Sequence, residues 1–510
     1  MKKKIVIIGG GSAGWITLSY LAATTDAELT IIHSNEIDPI GVGESTTPTV
    51  KHVADTIGVD EQVWMKDSKA TFKYGVKFYD FNKIGSQWIH SFEDMIPHQV
   101  FSKPITDNGK DICKKELTSV DYYLKHFKTD ADRFNRTHGP QDYLITNKLS
   151  PFNSRGEANI GQYPGYSYHI NAFDFGNSLR DHTPKEKYTE VIKKVVDIKY
   201  CDKGVDYLIL DDGTKIEADI FVDCTGFKKV ILGNLSEWKH YDELANNAAV
   251  WGQIQGYRSD WPVTGVFAQE AGWIWTIPTA NQIGSGYVYC DEFSTEERAI
   301  EVITKFWESR GLKWEHFKSV KFDAGRLHEP SIKNVISNGL SQSFIEPLEA
   351  TSIMVTCVTA KSLSEILNKH KNEPWNDKLA AIHSRVMKQF IDHTKRFVHF
   401  HYMLSERNDT PYWREVANKP GAVQELSDYI DVLSKGKWLS KGETLLNQWN
   451  WVSMMLGFDK PYVNQLPEIE ESRIEEYLHY TDLLIKNSEF LMRKNITIKD
   501  FLDMVHGPIE

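Results

Sequence analysis

Cysteine is scarce in this chain of 510 residues. There are five, Cys113, Cys201, Cys224, Cys290 and Cys357, all far apart. No C-x-x-C pair and no Cys/His cluster of zinc spacing occurs, so nothing points to a metal site, and a reduced, cytoplasmic protein is the simplest expectation. Long apolar runs are missing too. None reaches the ~20 residues that a membrane span needs. The Met1-Lys2-Lys3-Lys4 start looks like the charged front of a signal peptide, but no apolar stretch of sufficient length follows it. An excess of positive charge is also absent. Lys plus Arg number 59 against 70 Asp plus Glu, a formal net charge of -11. An acidic surface repels phosphate backbones, which makes nucleic acid a poor partner. There is no internal repeat, no low-complexity tract and no linker rich in Pro, Gly or Ser.

What remains is the composition of a soluble globular protein, 41% hydrophobic and 25% charged. Single cores stop growing near roughly 250–300 residues, so more than one domain or subdomain is expected. Fifteen tryptophans either line a pocket for a flat aromatic molecule or fill a large core, and the core is the simpler reading.

The first thirty residues carry the clearest pattern. Lys4 to Ile8 reads as a strand, and Gly9-Gly10-Gly11-Ser12-Ala13-Gly14 follows at once. Trp15 to Ala23 has helical apolar spacing, and Ala27 to Ile32 is a second strand. This is the dinucleotide-binding unit. Gly9 allows the tight turn, Gly11 lets backbone approach a pyrophosphate, and Gly14 lets helix and strand pack. The acid that usually meets the ribose at the end of the second strand is missing. His33, or Glu36 reaching back, is the substitute at hand.

The middle of the chain reads as sheet. Val195 to Ile198 resembles the strand that flavoproteins run beside the adenine, which makes Val195 a candidate cofactor contact. Tyr207 to Ile216 is a hairpin around Asp212-Gly213. Ala218 to Gly226 is a buried strand ending in a small-residue turn of the kind found beside FAD. Val250 to Gly256 and Gly284 to Tyr289 alternate as antiparallel strands. From about residue 353 the pattern turns helical, over Met354 to Asn368 and Asp377 to Tyr402. The expected class is α/β: an FAD-binding, Rossmann-like fold of the flavin monooxygenase type with an antiparallel substrate-side sheet and a helical C-terminal part. The expected division is a core over 1–350 and a mostly helical subdomain over 351–510, packed on it.

Four separated segments then point one way. Gly272-Trp273-Ile274-Trp275-Thr276-Ile277-Pro278 matches the G-W-x-W-x-I-P signature of flavin-dependent halogenases. Gly41-Val42-Gly43-Glu44-Ser45-Thr46 resembles their loop near the flavin. Thr71 to Phe78 resembles the segment that bears their active-site lysine, here Lys73. Gly339 to Ile353 resembles the run of the tryptophan-halogenase type that ends E-S-T-G-I. Together with Asp223 to Phe227 and the stretch from His399-Phe400-His401-Tyr402 to Pro411, the resemblance spans residues 4 to about 413.

The resemblance implies reduced FAD, O2 and a halide (chloride, bromide or iodide) as reactants, with a small aromatic substrate. It places Gly9, Gly11, Ser12, Ala13, Gly14, His33, Gly41, Val42, Gly43, Glu44, Ser45, Val195, Gly226, Leu340 and Ile353 at the flavin. It makes Lys73 the holder of hypohalous acid and Glu349 the carboxylate opposite the ring cation. Thr351 and Ser352 would bind the halide through their amides. Trp273 and Trp275, on one strand face, would wall the substrate off from the flavin. Lys73 lies in a mostly apolar segment, where desolvation lowers a lysine pKa. No second G-x-G-x-x-G is present for NAD(P)H, so a separate flavin reductase is implied. The subunit number is not legible, and a homo-oligomer stays open.

Two departures stand out. Glu349-Ala350-Thr351-Ser352 replaces E-S-T-G, and a serine at a glycine position suggests a reshaped halide pocket favouring bromide or iodide. Leu446 to Gly457 holds no carboxylate to meet a substrate ammonium, which leaves indoles, phenols or a larger aromatic scaffold open beside free tryptophan. A flavin hydroxylase or a non-catalytic flavin-binding protein are the alternatives, since neither needs Lys73 or the indole wall.

Overall fold

The computed structural model describes residues 2–34, 43–92, 105–107, 110–113, 134–136, 139–158, 165–418, 448–460 and 471–508. The chain opens with β1 (Lys4–Ile8), α1 (Ser12–Thr24) and β2 (Glu28–His33). Short strands β3 (Gly43–Ser45) and β4 (Thr71–Lys73) precede β5 (Gly75–Tyr79) and β6 (Gln87–Ser91). Next come β7 (Ser167–Asn171), β8 (Tyr188–Ile192), β9 (Val195–Cys201), β10 (Gly204–Leu210), β11 (Lys215–Ile216) and β12 (Ile220–Asp223). The antiparallel strands β13 (Ala248–Gln255), β14 (Val263–Gln269), β15 (Gly272–Pro278), β16 (Gln282–Tyr289) and β17 (Glu315–Lys321) follow, then β18 (Ser331–Ile332) and β19 (Val335–Ser337).

The first sheet runs β8-β2-β1-β12-β19-β18. It is parallel from β8 to β19, with Ile5 opposite both Leu29 and Ile220. Its central strands are continuous apolar runs because both faces are covered, and Ile5, Ile7, Ile31, Ile220 and Val222 are buried. Two glycines of the first turn are fixed by close approach. A Cβ on Gly14 would lie 1.9 Å from the Gly9 carbonyl oxygen, so only glycine lets α1 settle onto the turn. Gly9 itself has φ +121°, and a Cβ there would meet the Cys224 carbonyl oxygen at 2.3 Å.

The second sheet is seven-stranded, β17-β13-β16-β15-β14-β5-β6, antiparallel except where β14 runs parallel to β5. A third sheet, β3-β7-β4, joins them. Only Tyr74 separates β4 from β5, so the chain changes sheet directly after Lys73. The strands β9, β10 and β11 form a separate small sheet, with the expected hairpin at Asp211–Thr214.

The C-terminal part is helical, as the periodicity predicts. α2 (Thr351–Lys369) packs on α1, and α3 (Asp377–Leu404) packs on α2. α4 (Gln448–Gly457) covers β6, and α5 (Glu471–Met492) and α6 (Ile498–His506) complete the chain. One element departs from a purely helical reading. Asn495–Thr497 is a strand paired with Leu149–Asn153, and it returns the chain end to the first half of the molecule. There the Phe501 ring sits 4.9 Å from that of Phe72 on β4. Of the tryptophans, Trp15, Trp64, Trp273, Trp413 and Trp451 are fully buried, in line with the core reading.

Candidate active site

Three turns meet at the carboxyl ends of the parallel strands, the general location of ligand crevices in such sheets. They follow β1, β12 and β19. The Cys224 amide donates to the Ile8 carbonyl and the Asn338 amide to the Asp223 carbonyl, which ties the three turns side by side. Asn338 Nδ2 also donates to Thr17 Oγ1 on α1 at 2.8 Å.

The N-terminus of α1 fits a pyrophosphate. Its N-cap, Gly11, has no side-chain cap and no acidic residue stands in its first turn, so the leading amides await an acceptor. A Cβ on Gly11 would meet nothing within 4 Å, and neither would one on Gly226. That open ground differs from the crowded Gly9 and Gly14. Ser12 Oγ donates to the Ala172 carbonyl at 2.8 Å. Ala13 lies under the turn at Gly339, next to Leu340.

Other candidate flavin residues fall differently. His33 closes β2, and its Nε2 pairs with Glu190 Oε1 at 2.9 Å. Glu190 is an acid of the neighbouring strand, where the β8 register sets Ile192 opposite His33. Val195 pairs with Leu210 and packs against the cluster that includes Ile8 and Ile32. Ile353 packs among Phe72, Val50 and Cys357. Gly43, Glu44 and Ser45 form β3, paired with β7. Burial pushes the Glu44 carboxyl up to about 7. Gly41, Val42 and Glu36 lie outside the described residues.

Lys73 is fully buried at the end of β4. It stands opposite Ser167 of β7, and the same strand carries β3 on its other side. This sheet sets the residue after β3 beside the lysine: Nζ donates to the Thr46 carbonyl at 2.9 Å. The Phe92 ring centroid is 4.9 Å from Nζ. Burial lowers the lysine pKa to about 7, and the nearby Glu349 charge offsets this only in part.

Glu349 is 7% exposed and sits in the single turn Pro347–Glu349, ahead of α2. Its Oε1 faces two imidazoles, His90 Nδ1 at 2.8 Å and His401 Nε2 at 3.0 Å. Burial pushes this carboxyl up, but the His90 charge and the bonds of His401 and His90 outweigh it and hold it at about 2. His90 Nε2 meets Asn450 Oδ1 of α4 at 3.0 Å. Neither histidine was a sequence-level site candidate.

Trp273 and Trp275 share one face of β15, with ring centroids 6.2 Å apart. Trp273 is fully buried and Trp275 half-buried. Behind them lies a second buried carboxylate. Glu346 Oε2 accepts from Asn246 Nδ2 at 2.6 Å, from Tyr402 OH at 2.7 Å and from Trp273 Nε1 at 3.3 Å. Trp273 Nε1 also donates to Tyr402 OH at 2.9 Å. Consecutive residues at the end of α3, His401 and Tyr402, therefore fix Glu349 and the indole wall.

Thr351 and Ser352 begin α2, whose N-cap, Ala350, provides no side-chain cap. The Thr351 side chain is buried, and among the described residues its Oγ1 has no hydrogen-bond partner. The left-handed residue of this turn lies two positions before Ser352. Ala350 has φ +58° and supplies the reversal into the helix, whereas Ser352 is helical. Ser352 therefore carries no left-handed backbone strain.

Fold and crevice together define a flavin-dependent enzyme. The tryptophan halogenase family profile matches residues 4–468. A tryptophan 6-halogenase of Streptomyces toxytricini is 30% identical over 446 residues, covering 83% of this chain and 82% of that protein. A tryptophan 7-halogenase of Lentzea aerocolonigenes is 28% identical, covering 85% and 82%. Among solved structures, Tar14, a tryptophan C-6 halogenase from taromycin biosynthesis, superposes with TM-score 0.83 at 26% identity, over 99% of this chain and 100% of that one. The chain belongs to the tryptophan halogenase family, and it is a flavin-dependent halogenase, an oxidoreductase.

Proposed function

We propose that the protein halogenates an electron-rich aromatic ring of the indole or phenol type, and that the halogen reaches the ring through Lys73. The observation that carries this reading is the pairing of two buried groups. One is a lysine amine without a hydrogen-bonded carboxylate among the described residues; the other is a carboxylate already satisfied by two histidines. A lysine clamped by Glu349 would stay ammonium. Lys73 instead donates to a neutral carbonyl and titrates near 7.

The α1 turn at Gly9 to Gly14, the β3 residues Gly43 to Ser45, the Gly226 turn and Leu340 would hold FAD, with His33 and Glu190 facing the ribose. When bound in reduced form, the flavin supplies with O2 the oxidising equivalent that turns halide into hypohalous acid. A separate NAD(P)H-dependent reductase would deliver that reduced flavin. The amides of Thr351 and Ser352, at the positive end of α2, would hold the halide.

The remaining steps fall to the chain itself. The Lys73 amine takes the halogen from hypohalous acid and water leaves. The aromatic carbon then bonds to the halogen, the nitrogen–halogen pair of electrons returns to the nitrogen, and that nitrogen takes up a proton to become the amine again. Glu349, ionised and close by, stabilises the ring cation and accepts the proton from the substituted carbon. The C–H electron pair restores aromaticity. Trp273 and Trp275 keep the substrate from the flavin, where hydroxylation would compete. The boundary at residue 350, with the carboxylate on one side and the halide amides on the other, belongs to the same reading. The relatives named above act on tryptophan, so free tryptophan leads the panel for testing, with indoles and phenols beside it. Enzyme, FAD, a reductase and each halide should give products with the mass of the added halogen. Hydroxylated products, unaffected by halide, would refute it.

A further inference from the structure

One buried polar chain has no part in the steps above. β7 sets His169 opposite Ser45 of β3 on one side and Thr71 of β4 on the other, so the three side chains share a face. Thr264 of β14 joins them, and all four residues are buried. His169 Nδ1 lies 3.4 Å from Thr71 Oγ1, and its Nε2 lies 2.9 Å from Thr264 Oγ1. Thr264 Oγ1 in turn lies 2.7 Å from Ser45 Oγ. The chain thus runs from the strand of the lysine to the strand expected at the flavin.

Its direction follows from one end. Thr71 Oγ1 donates its hydrogen to the Pro278 carbonyl at 2.6 Å, and a carbonyl oxygen can only accept. Toward His169 that hydroxyl therefore accepts, so Nδ1 carries the hydrogen. Burial, helped by the nearby Lys73 charge, holds the imidazole well below its ordinary pKa, so the ring is neutral and Nε2 is bare. Thr264 gives its one hydrogen to Nε2, and Ser45 gives its own to Thr264. The Ser45 oxygen keeps lone pairs alone, and among the described residues no group donates to it. A free serine hydroxyl donates or accepts as its ligand requires. Here three further buried side chains spend their hydrogen bonds on removing that choice.

We propose that Ser45 is a one-way hydrogen-bond partner of the flavin: an oxygen that accepts a ring N–H and cannot donate, with His169, Thr264 and Thr71 as positioning residues that fix its direction. The inference rests on the reading that β3 holds FAD. The oxidised ring offers one N–H, and reduction adds another where the oxidised ring has a bare nitrogen. A bare nitrogen meets the lone pairs of Ser45 with repulsion, and an N–H meets them with attraction. A locked acceptor at that nitrogen favours the reduced flavin that the reaction consumes. At the N–H common to both forms, it holds both alike.

Two measurements on the whole enzyme test this. With 15N-histidine label, His169 should show the neutral tautomer with a protonated Nδ1 and a bare Nε2. Those signals should be absent from His169→Gln, and Thr264→Val should shift the bare Nε2, so one folding variant suffices to assign them. The opposite tautomer, or an imidazolium at neutral pH, would overturn the proposal. Anaerobic calorimetry then compares FAD binding in both redox states. Ser45→Ala should weaken reduced FAD by about three- to tenfold, as for one neutral hydrogen bond. An equal loss for oxidised FAD places the donor at the N–H common to both forms; a loss confined to reduced FAD places it at the one that reduction adds. Unchanged affinity for reduced FAD would overturn the inference. Gly11→Val separates that failure from failure of the cofactor reading. If it abolishes FAD binding while Ser45→Ala changes nothing, only the role of Ser45 falls. If it too binds FAD like wild type, the flavin lies elsewhere.

Discussion

A buried lysine that titrates near neutrality should weaken the fold that holds it. In the unfolded chain Lys73 keeps its proton up to the ordinary 10.5, but in the folded protein only to about 7. At ~1.4 kcal/mol per pKa unit, the charged form costs about 5 kcal/mol of stability. That cost is complete below pH 7 and fades as the pH rises toward 10.5, because the folded lysine is already neutral there. Lys73→Met keeps the length of the side chain and removes the charge. It also strips the Thr46 carbonyl of a donor, worth about 1 kcal/mol. The net gain should be about 3–4 kcal/mol at pH 6–7, shrinking to about 1 kcal/mol near pH 9. Unfolding entropy scales with length at ~2.1 cal/mol/K per residue, so a chain of this size gains about 1 °C per kcal/mol. Differential scanning fluorimetry across pH 6 to 9 should therefore show the variant melting about 3 °C higher at low pH, with the gap closing as pH rises. A variant that melts at or below wild type throughout, or by a margin independent of pH, would refute the desolvated amine on which the proposed halogen transfer depends.

Gly11→Val should fold, since a Cβ there meets no protein atom within 4 Å, yet fail to bind FAD because the side chain fills the ground for the pyrophosphate. Fluorescence titration with FAD checks this, and wild-type affinity would displace the cofactor from this turn. Ser352→Gly should move halide preference toward chloride in one-pot competition at equal concentrations, as the proposed halide site at Thr351 and Ser352 requires. An unchanged ratio would remove Ser352 from the halide site.

Much of this architecture is legible in the chain because its signals are local. The strand, glycine turn and helix from Lys4 to Thr24 need only neighbouring residues, and so does the helical periodicity of 351–369 and 377–404. Lys73, Glu349, Trp273 and Trp275 were singled out by motifs that each fit within a short window. Their surroundings were not legible, because they are built by contacts between distant segments. His90 and Glu349 are 259 residues apart in sequence, and His33 and Glu190 are 157 apart. Nothing in the local pattern of Glu190, an acid on an edge strand, marks it as the partner of His33. His401 carried one usable signal, its place four residues after Phe397 on a helix, where a histidine can bond back to a carbonyl. Which residue of this turn is left-handed was not legible either, because it depends on where the helix starts, and here it starts at Thr351.

The central claim is that Lys73 carries the halogen to the ring. Lys73→Met leaves the pyrophosphate turn, β3 and the indole wall untouched. Single-turnover reactions with reduced FAD, bromide and the best aromatic acceptor, run with catalase so that no free peroxide contributes, measure the claim directly by mass spectrometry. The account predicts that the variant binds FAD like wild type and yields no halogenated product. Halogenated product at near wild-type yield would contradict it.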